Sequence, residues 1–339
     1  MFRFSDSFLS FTFFLLATMI AYASDVEAAD ALHQKYKTLK SEVGKVIIGQ
    51  DETVRLLLTA IFSRGHCLLI GVPGLAKTLL ISTLSQVLDL QFNRIQFTPD
   101  LMPSDILGAE TLDKDRNLRF VKGAIFSNII LADEINRTPP KTQAALLESM
   151  QEYAVTVAGV RYPLPLPFFV LATQNPIEQE GTYPLPEAQL DRFMFSVYLD
   201  YPSFEEELSV VKNTTSDKKV SLDKIINGEE ILYFQDLIRR VPVADNVMEY
   251  AVRLVHKTRP NKPLATALTN DYLDWGAGPR ASQYLILGAK CHALLHGKYS
   301  PDIEDVKAVS VAVLGHRIVR NFKAEAENLS AKQIIEKLW

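Results

Sequence analysis

Residues 66–80 read His66-Cys67-Leu68-Leu69-Ile70-Gly71-Val72-Pro73-Gly74-Leu75-Ala76-Lys77-Thr78-Leu79-Leu80. The apolar run predicts a short buried strand, the Gly/Pro segment predicts a turn, and the residues that follow predict a helix. Glycines at 71 and 74 let backbone N–H groups converge on one point, to which the N-terminus of the helix adds positive charge. Lys77 can reach terminal phosphates and the Thr78 hydroxyl can hold Mg²⁺, so residues 71–79 predict a polyphosphate-binding loop.

Ala76 departs from the general form of this motif, which is Gly, four residues, Gly, Lys, Ser/Thr. It occupies the place of the second glycine. A methyl group is tolerated there if the residue already has helical backbone angles. The alternative for the whole stretch is a strand-turn-helix corner that contains Lys and Thr by chance.

The length and composition of the chain predict a globular protein of more than one domain. The chain has 339 residues, of which 47% are apolar, and a formal net charge of −4. This length suggests two domains, and we place an α/β domain at 31–202 and a helical domain at 203–339. The negative charge disfavours a protein that coats nucleic acid by charge alone, so we expect no nucleic-acid partner. Cys67 and Cys291 lie far apart in sequence and predict free thiols rather than a metal site.

Residues 1–30 form a separate N-terminal segment. Phe8 to Ala23 is nearly all apolar and follows Arg3, which resembles a signal peptide or a short membrane anchor. That interpretation conflicts with the polyphosphate-binding loop predicted at 71–79 if its ligand is ATP, because ATP is a cytoplasmic resource. Three explanations stay open: a start codon assigned too early, with Met19 as an internal candidate, an anchor, or an amphipathic helix of the fold. We favour the first and expect a cytoplasmic protein, with membrane association only through this segment or a partner.

The turn before the first predicted core helix is a candidate adenine contact. Val46-Ile47-Ile48 is followed by Gly49 and Gln50, directly before a helix predicted at 51–64. Apolar side chains beside a glycine turn can hold a purine ring. The alternative is an ordinary helix boundary, at which Gln50 or Asp51 caps the helix.

Two further strands end in polar residues. Ile129 to Ala132 is apolar and is followed by Asp133 and Glu134, about 55 residues after Thr78. Asp133 can orient Mg²⁺ and Glu134 can polarise an attacking water. Residues 168–173 predict a buried strand that leads to Asn175, at the end of a strand where α/β proteins bind ligands. Asn175 can hydrogen-bond the water or the γ-phosphate, and the alternative is a turn-capping role before Pro176.

These stretches resemble the MoxR family of AAA+ ATPases. The matching residues are 71–78, 131–137, 172–176 and 180–193, and Ala76 is the residue that this family tends to use. The resemblance implies that Lys77 and Thr78 belong to Walker A, Asp133 and Glu134 to Walker B, and Asn175 to sensor 1. It places an arginine finger, lent to the next subunit's ATP, at Arg192. It also implies a sensor 2 arginine at Arg280, in cis or in trans, whereas Arg137 is equally compatible with a neighbour's nucleotide and a surface ion pair.

The family resemblance implies an AAA+ P-loop core, with a parallel sheet and flanking helices, followed by a small all-helical lid. Helical spacing occurs at 235–240, 244–257, 270–276, 281–296 and 302–315, and we expect a loop at 214–230 and a hairpin at 153–167. The implied activity is ATP hydrolysis with Mg²⁺ by a hexameric ring that remodels client proteins, often with von Willebrand A domains. The alternatives are a magnesium-chelatase-like or DNA-directed motor, and a nucleotide-gated scaffold with little turnover.

Overall fold

The computed structural model describes residues 22–112, 114–178, 181–215 and 220–339. The predicted N-terminal segment lies outside the described residues as far as residue 21, as does Glu180 of the family stretch. The first helix begins at Asp25, so the last residues of segment 1–30 belong to that helix. Over the described ranges, no helix combines the length and the apolar character that crossing a bilayer requires.

The strands and helices alternate through the first part of the chain, and helices dominate the second. The strands are β1 (Cys67–Ile70), β2 (Phe92–Gln96), β3 (Gly108–Leu112), β4 (Leu118–Lys122), β5 (Ile129–Asp133), β6 (Ala154–Val157), β7 (Val160–Pro163), β8 (Phe169–Gln174), β9 (Phe195–Tyr198), β10 (Leu273–Trp275) and β11 (Val319–Arg320). The helices are α1 (Asp25–Val43), α2 (Asp51–Phe62), α3 (Lys77–Val87), α4 (Pro103–Leu107), α5 (Pro140–Glu152), α6 (Glu187–Leu190), α7 (Phe204–Thr214), α8 (Gly228–Arg240), α9 (Asp245–Lys257), α10 (Ala267–Tyr272), α11 (Pro279–Leu295), α12 (Ile303–Leu314), α13 (Phe322–Ala326) and α14 (Ala331–Glu336).

A five-stranded parallel sheet forms the centre of the α/β part, with the spatial order β2-β5-β8-β1-β9. The carboxyl ends of parallel strands lie at one edge of their sheet, which is where α/β proteins bind ligands. Because β8 lies between β1 and β5, the segments that follow these three strands meet at that edge. The predicted fold class, a parallel α/β core with a helical lid, is confirmed.

Successive side chains of each strand project to opposite faces of the sheet, which divides the apolar core into two layers. Cys67 and Leu69 of β1 pack with α1–α3 and with lid helices, whereas Leu68 packs on the opposite face with residues of α5. The helices on the first face include α1, whose Ala28, Leu32 and Leu39 are fully buried. Helix α1 therefore joins the α/β part to the lid through one continuous apolar core.

Two β-hairpins extend from the α/β part. β3 pairs with β4, and β6 pairs with β7 around Gly159, which has a φ of +79°. The hairpin predicted at 153–167 is thus confirmed. The rings of Phe120 in β4 and Tyr162 in β7 stack with their centroids 3.9 Å apart, so the two hairpins support each other.

The lid differs from the sequence prediction in two places. The loop expected at 214–230 ends earlier, because Asn227 caps α8: its side chain accepts a hydrogen bond from the Glu230 N–H, and the Glu230 carboxylate accepts one from the Asn227 N–H. The helix expected at 270–276 stops at Tyr272, and β10 then pairs antiparallel with β11. The pairing of β10 with β11, which is distant in the chain, therefore overrides the helical spacing of residues 273–275.

Arg317, which follows α12, attaches the lid to the segment before β9. Its side chain is 2% exposed and forms an ion pair with Asp191, with Nε 2.8 Å from Oδ1. It also donates hydrogen bonds to the carbonyls of Phe193 and Met194. Removing Asp191 would leave the buried charge of Arg317 without its carboxylate partner, so this contact holds residues 191–194 against the lid.

Candidate active site

The phosphate loop occupies residues 71–76, between β1 and the first turn of α3. Gly71 allows a close approach, because a Cβ there would lie 2.8 Å from the Cβ of Leu199. Gly74 has a φ of +88°, which disfavours any residue with a side chain. Val72 is half-buried, Pro73 is exposed, Leu75 is buried, and Lys77, Thr78 and Leu79 form the first turn of α3. The predicted strand-loop-helix unit is present.

Ala76 does not have the right-handed helical angles under which a methyl group would be tolerated without strain. Ala76 has φ 54° and ψ 27°, in the left-handed region, and precedes the helix as its N-cap. This conformation costs a residue with a Cβ about 1–2 kcal/mol. Glu134 is also left-handed, with φ 57° and ψ 48°. Such backbone strain concentrates at functional sites, where the surrounding contacts hold it in place.

Lys77 faces the acidic residues at the ends of the neighbouring strands. Its Nζ donates a hydrogen bond to the Gly71 carbonyl. Burial lowers the pKa of Lys77, and the charges of Asp133, Glu134 and Glu178 oppose that shift. An ammonium placed over a glycine loop and facing three carboxylates is suited to bind an anion beside a cation.

Asp133 is held by the strands on both sides of β5. Its Oδ2 accepts hydrogen bonds from Arg94 of β2, at 2.6 Å from Nη2 and 3.1 Å from Nε. Its Oδ1 accepts one from the hydroxyl of Thr173 in β8, at 2.5 Å. Thr173 Oγ1 also accepts a hydrogen bond from the backbone N–H of Glu134, at 2.9 Å. One buried hydroxyl therefore sets the positions of both acidic residues.

Glu134 takes part in a network of side chains at the same edge. Gln96 Nε2 donates to its Oε2 at 2.8 Å, and the Nε of Arg137 lies 3.0 Å from the same oxygen. Arg137 also pairs with Glu178, and this ion pair is the main cause of the lowered pKa of Glu178. Of the two interpretations of Arg137, the structure places it in an ion pair with acidic residues of its own chain.

Asn175 lies between the phosphate loop and the acidic pair. It follows the central strand β8, is buried, and accepts a hydrogen bond from the Ile177 N–H at 3.2 Å. The Gly71 N–H donates to the carbonyl of Gln174 at 3.2 Å, which ties the start of the phosphate loop to the same strand end. The structure thus gathers Lys77, Asp133, Glu134 and Asn175 at one edge, as the sequence predicted.

Gln50 contacts the phosphate loop instead of capping α2. Its Nε2 donates to the Leu75 carbonyl at 3.2 Å, and its side chain makes no capping bond. Its Oε1 is buried and has no partner among the residues that the structure describes. Gly49, with a φ of +73°, packs against the carboxylate of Glu206 in α7. An unpaired acceptor beside the phosphate loop fits the donor groups of a nucleotide base.

Arg192 and Arg280 lie at the opposite edge of the sheet. In the parallel register Cys67 aligns with Phe195 and Ile70 with Tyr198, so the residues just before Phe195 are at the amino ends of the strands. A four-residue strand separates the two edges by about 10 Å. Arg192 donates from Nη1 to the Leu147 carbonyl at 2.9 Å, and Arg280 Nη1 pairs with Asp191 at 3.2 Å. The structure therefore does not bring these two arginines to their own chain's phosphate loop.

Four residues of the network were missed by the sequence analysis: Arg94, Gln96, Thr173 and Glu178. A signal existed for one of them, because Thr173 is a polar residue at the end of an otherwise apolar run, beside the strand that ends in two acids. The contacts of Arg94 and Gln96 depend on β2 pairing with β5, which sequence spacing does not reveal.

Comparisons with known proteins agree with this arrangement. The profile of the "ATPase family associated with various cellular activities (AAA)" matches residues 66–195, and that of the "AAA lid domain" matches residues 265–338. Chaperone MoxR1 of Mycobacterium tuberculosis is 40% identical over 94% of this chain and 85% of its own length. Protein MoxR of Methylorubrum extorquens is 29% identical over 82% of this chain and 85% of its own length.

The chain belongs to the MoxR family of AAA+ ATPases. A solved structure supports the same conclusion: a Cytophaga hutchinsonii protein assigned as an ATPase is 44% identical, with a TM-score of 0.85 over 92% of this chain and 95% of that one. The predicted MoxR resemblance is confirmed. The predicted domain boundary at 202/203 falls between the two matched profiles and stays a prediction.

Proposed function

We propose that this MoxR-family chain binds ATP with Mg²⁺, hydrolyses the nucleotide in a ring of copies, and uses the cycle to remodel a client protein. The observation that carries the proposal is the meeting of Lys77, Asp133, Glu134 and Asn175 at one edge of the sheet, where the buried Thr173 hydrogen-bonds both acidic residues. A relative that is named a chaperone, MoxR1 of Mycobacterium tuberculosis, favours this function over a DNA-directed or chelatase-like motor.

The residues at this edge fit the groups of the substrate. Residues 71–79 would surround the phosphates, Lys77 would pair with their charge, and Gln50 Oε1 would accept a hydrogen bond from adenine. Thr78 and Asp133 would hold Mg²⁺, which, when bound, neutralises charge on phosphate oxygens. Glu134 would accept the proton of the attacking water, and Asn175 would orient that water.

The remaining catalytic groups would come from a second copy. Arg192 and Arg280 lie at the far edge, about 10 Å from their own site along β1. Arg192 is hydrogen-bonded to Leu147 of α5, and Arg280 is paired with Asp191. An arginine lent by a neighbour stabilises the charge that develops during phosphoryl transfer. We therefore propose that both arginines act in trans, which makes hydrolysis depend on assembly and suits a closed ring of six.

The client is proposed on the family alone. A protein with a von Willebrand A domain is the partner that the resemblance favours, and the need for ATP favours action in the cytoplasm. The motion of the lid with nucleotide state would transmit work to that client.

Glu134→Gln is expected to bind ATP and fail to turn it over. The change removes the base but keeps the shape and the hydrogen bond from Gln96, so turnover should fall by about 10²- to 10⁴-fold. Phosphate release and nucleotide affinity measure the two effects separately. Glu148→Gln, on an exposed position of α5, is the matched control. Equal turnover in Glu134→Gln and the unaltered chain would instead support a scaffold with little hydrolysis.

The Glu134→Gln variant also tests the remodelling function. Held in ATP, it should retain its client in a pull-down, whereas the same variant in ADP should release it. Capture that does not depend on the nucleotide would contradict the remodelling role without affecting the proposed hydrolysis.

Thr173→Val is expected to reduce turnover by about 10- to 100-fold. Valine keeps the shape but leaves Asp133 Oδ1 and the Glu134 N–H without their shared partner. The Mg²⁺ concentration required for half-maximal activity should rise as well. Thr59→Val serves as control, because Thr59 is equally buried and its hydroxyl donates only to the Arg55 carbonyl within α2. A similar loss of turnover in both variants would point to general destabilisation.

A further inference from the structure

Helix α7 exposes the face that an amphipathic helix normally buries. Phe204, Leu208 and Val211 recur at i, i+4 and i+7, which places them within an arc of about 60° on one side. Their exposed fractions are 77%, 44% and 50%. None of the eleven residues of α7, all of which the structure describes, is buried. We call Phe204, Leu208 and Val211 the α7 stripe.

The orientation of the helix is held by its opposite side. Glu206 lies two positions from Phe204, so it projects away from the stripe. A Cβ placed on Gly49 would lie 2.6 Å from the Glu206 carboxyl carbon, which shows how closely this side chain packs. Glu206 also accepts a hydrogen bond from the Ser203 N–H at 2.8 Å, in a capping box that fixes the start of the helix. The stripe therefore faces solvent because of specific contacts.

The α7 stripe lies beside the candidate nucleotide site. Gly49, against which Glu206 packs, precedes Gln50, whose side chain donates to the phosphate loop at Leu75. The chain also leaves the sheet at this edge, since only five residues separate the end of β9 from Phe204. An exposed apolar surface next to a functional site marks a binding surface.

We propose that the α7 stripe is covered by a second copy of this chain, on the face that carries Arg192 and Arg280. This inference rests on the proposed function: those arginines reach a phosphate loop only if another copy approaches the carboxyl edge of the sheet, where α7 lies. An apolar counterpart occurs close to Arg280 in the chain, since Trp275 is 70% exposed and precedes Arg280 by five residues. Aromatic and arginine side chains together are typical of interface centres.

The test compares Leu208→Glu with Ser209→Glu. Both place the same charge on an exposed position of α7, but Ser209 lies off the stripe and its hydroxyl bonds only to the Glu205 carbonyl. Sedimentation velocity with ATP, over a range of protein concentrations, measures assembly. Leu208→Glu should need at least about tenfold more protein to assemble, whereas Ser209→Glu should assemble as the unaltered chain does.

Nucleotide binding by dilute protein separates this inference from the proposed function. Leu208→Glu should bind a fluorescent ATP analogue as the unaltered chain does and regain hydrolysis at high concentration. If Leu208→Glu misfolds, Val211→Glu provides the same test.

Unaltered assembly of the stripe variants would overturn the inference while leaving hydrolysis intact. A loss of client capture without a loss of assembly would also overturn it, and would assign the stripe to the client. An unaltered chain that binds ATP but stays monomeric would also overturn it.

Discussion

Arg192→Ala is expected to bind ATP normally and to lose about 10³- to 10⁵-fold in hydrolysis, which is the range that a donated arginine contributes to phosphoryl transfer. Binding should persist, because Arg192 lies at the edge of the sheet opposite its own phosphate loop. Hydrolysis should fail, because the neighbouring site loses the positive charge that stabilises its transition state. Arg253→Ala, on an exposed position of α9, is the matched control for the loss of an arginine.

Mixing two inactive variants distinguishes a donated arginine from a structural one. Arg192 also donates a hydrogen bond to the Leu147 carbonyl, so its loss could disturb packing. In a mixture with Glu134→Gln, an intact Arg192 from the second variant can face an intact Glu134 of the first. Partial recovery of hydrolysis is expected, and misfolded subunits would not produce it. A mixture as inactive as its components would contradict the in-trans assignment.

Lys77→Ala is expected to weaken ATP binding by at least about 100-fold, since it removes a charged hydrogen-bond donor. The expected loss is large because Asp133, Glu134 and Glu178 all act on Lys77 electrostatically. Without the ammonium, their charges would face a triphosphate with less compensation. Titration with a fluorescent ATP analogue gives the dissociation constant directly.

Lys332→Ala provides a surface control for this measurement, because Lys332 is exposed and belongs to α14 of the lid. Its affinity for ATP should match that of the unaltered chain. A dissociation constant for Lys77→Ala within about threefold of that value would contradict the assignment of residues 71–79 as the phosphate-binding loop.

Local patterns sufficed for much of the fold. The phosphate loop lies between a strand and a helix, Asp133 ends β5, and a hairpin turns at Gly159, each as predicted from a short segment. Such features depend on apolar periodicity and on the backbone freedom of particular residues, which neighbouring positions determine. The same local patterns did not reveal the left-handed conformation of Ala76, which directly precedes α3.

Local reasoning also misplaced the end of the loop before α8, because the loop predicted at 214–230 included Asn227 and Gly228. The capping box between Asn227 and Glu230 makes this the start of a helix. Both interpretations use the same residue types, since asparagine favours turns and helix N-termini alike. Only the helix that follows distinguishes them.

Residue order alone was enough to predict the phosphate loop, the acidic pair and the family, because each depends on a short run of side chains. The three-dimensional contacts decided how those parts relate. Strand order placed the Thr173 hydroxyl within hydrogen-bonding distance of both Asp133 and Glu134. Parallel register placed Arg192 at the edge away from its own phosphate loop. The physical reason is that strand pairing joins residues far apart in the chain, and no local pattern encodes which strands become neighbours.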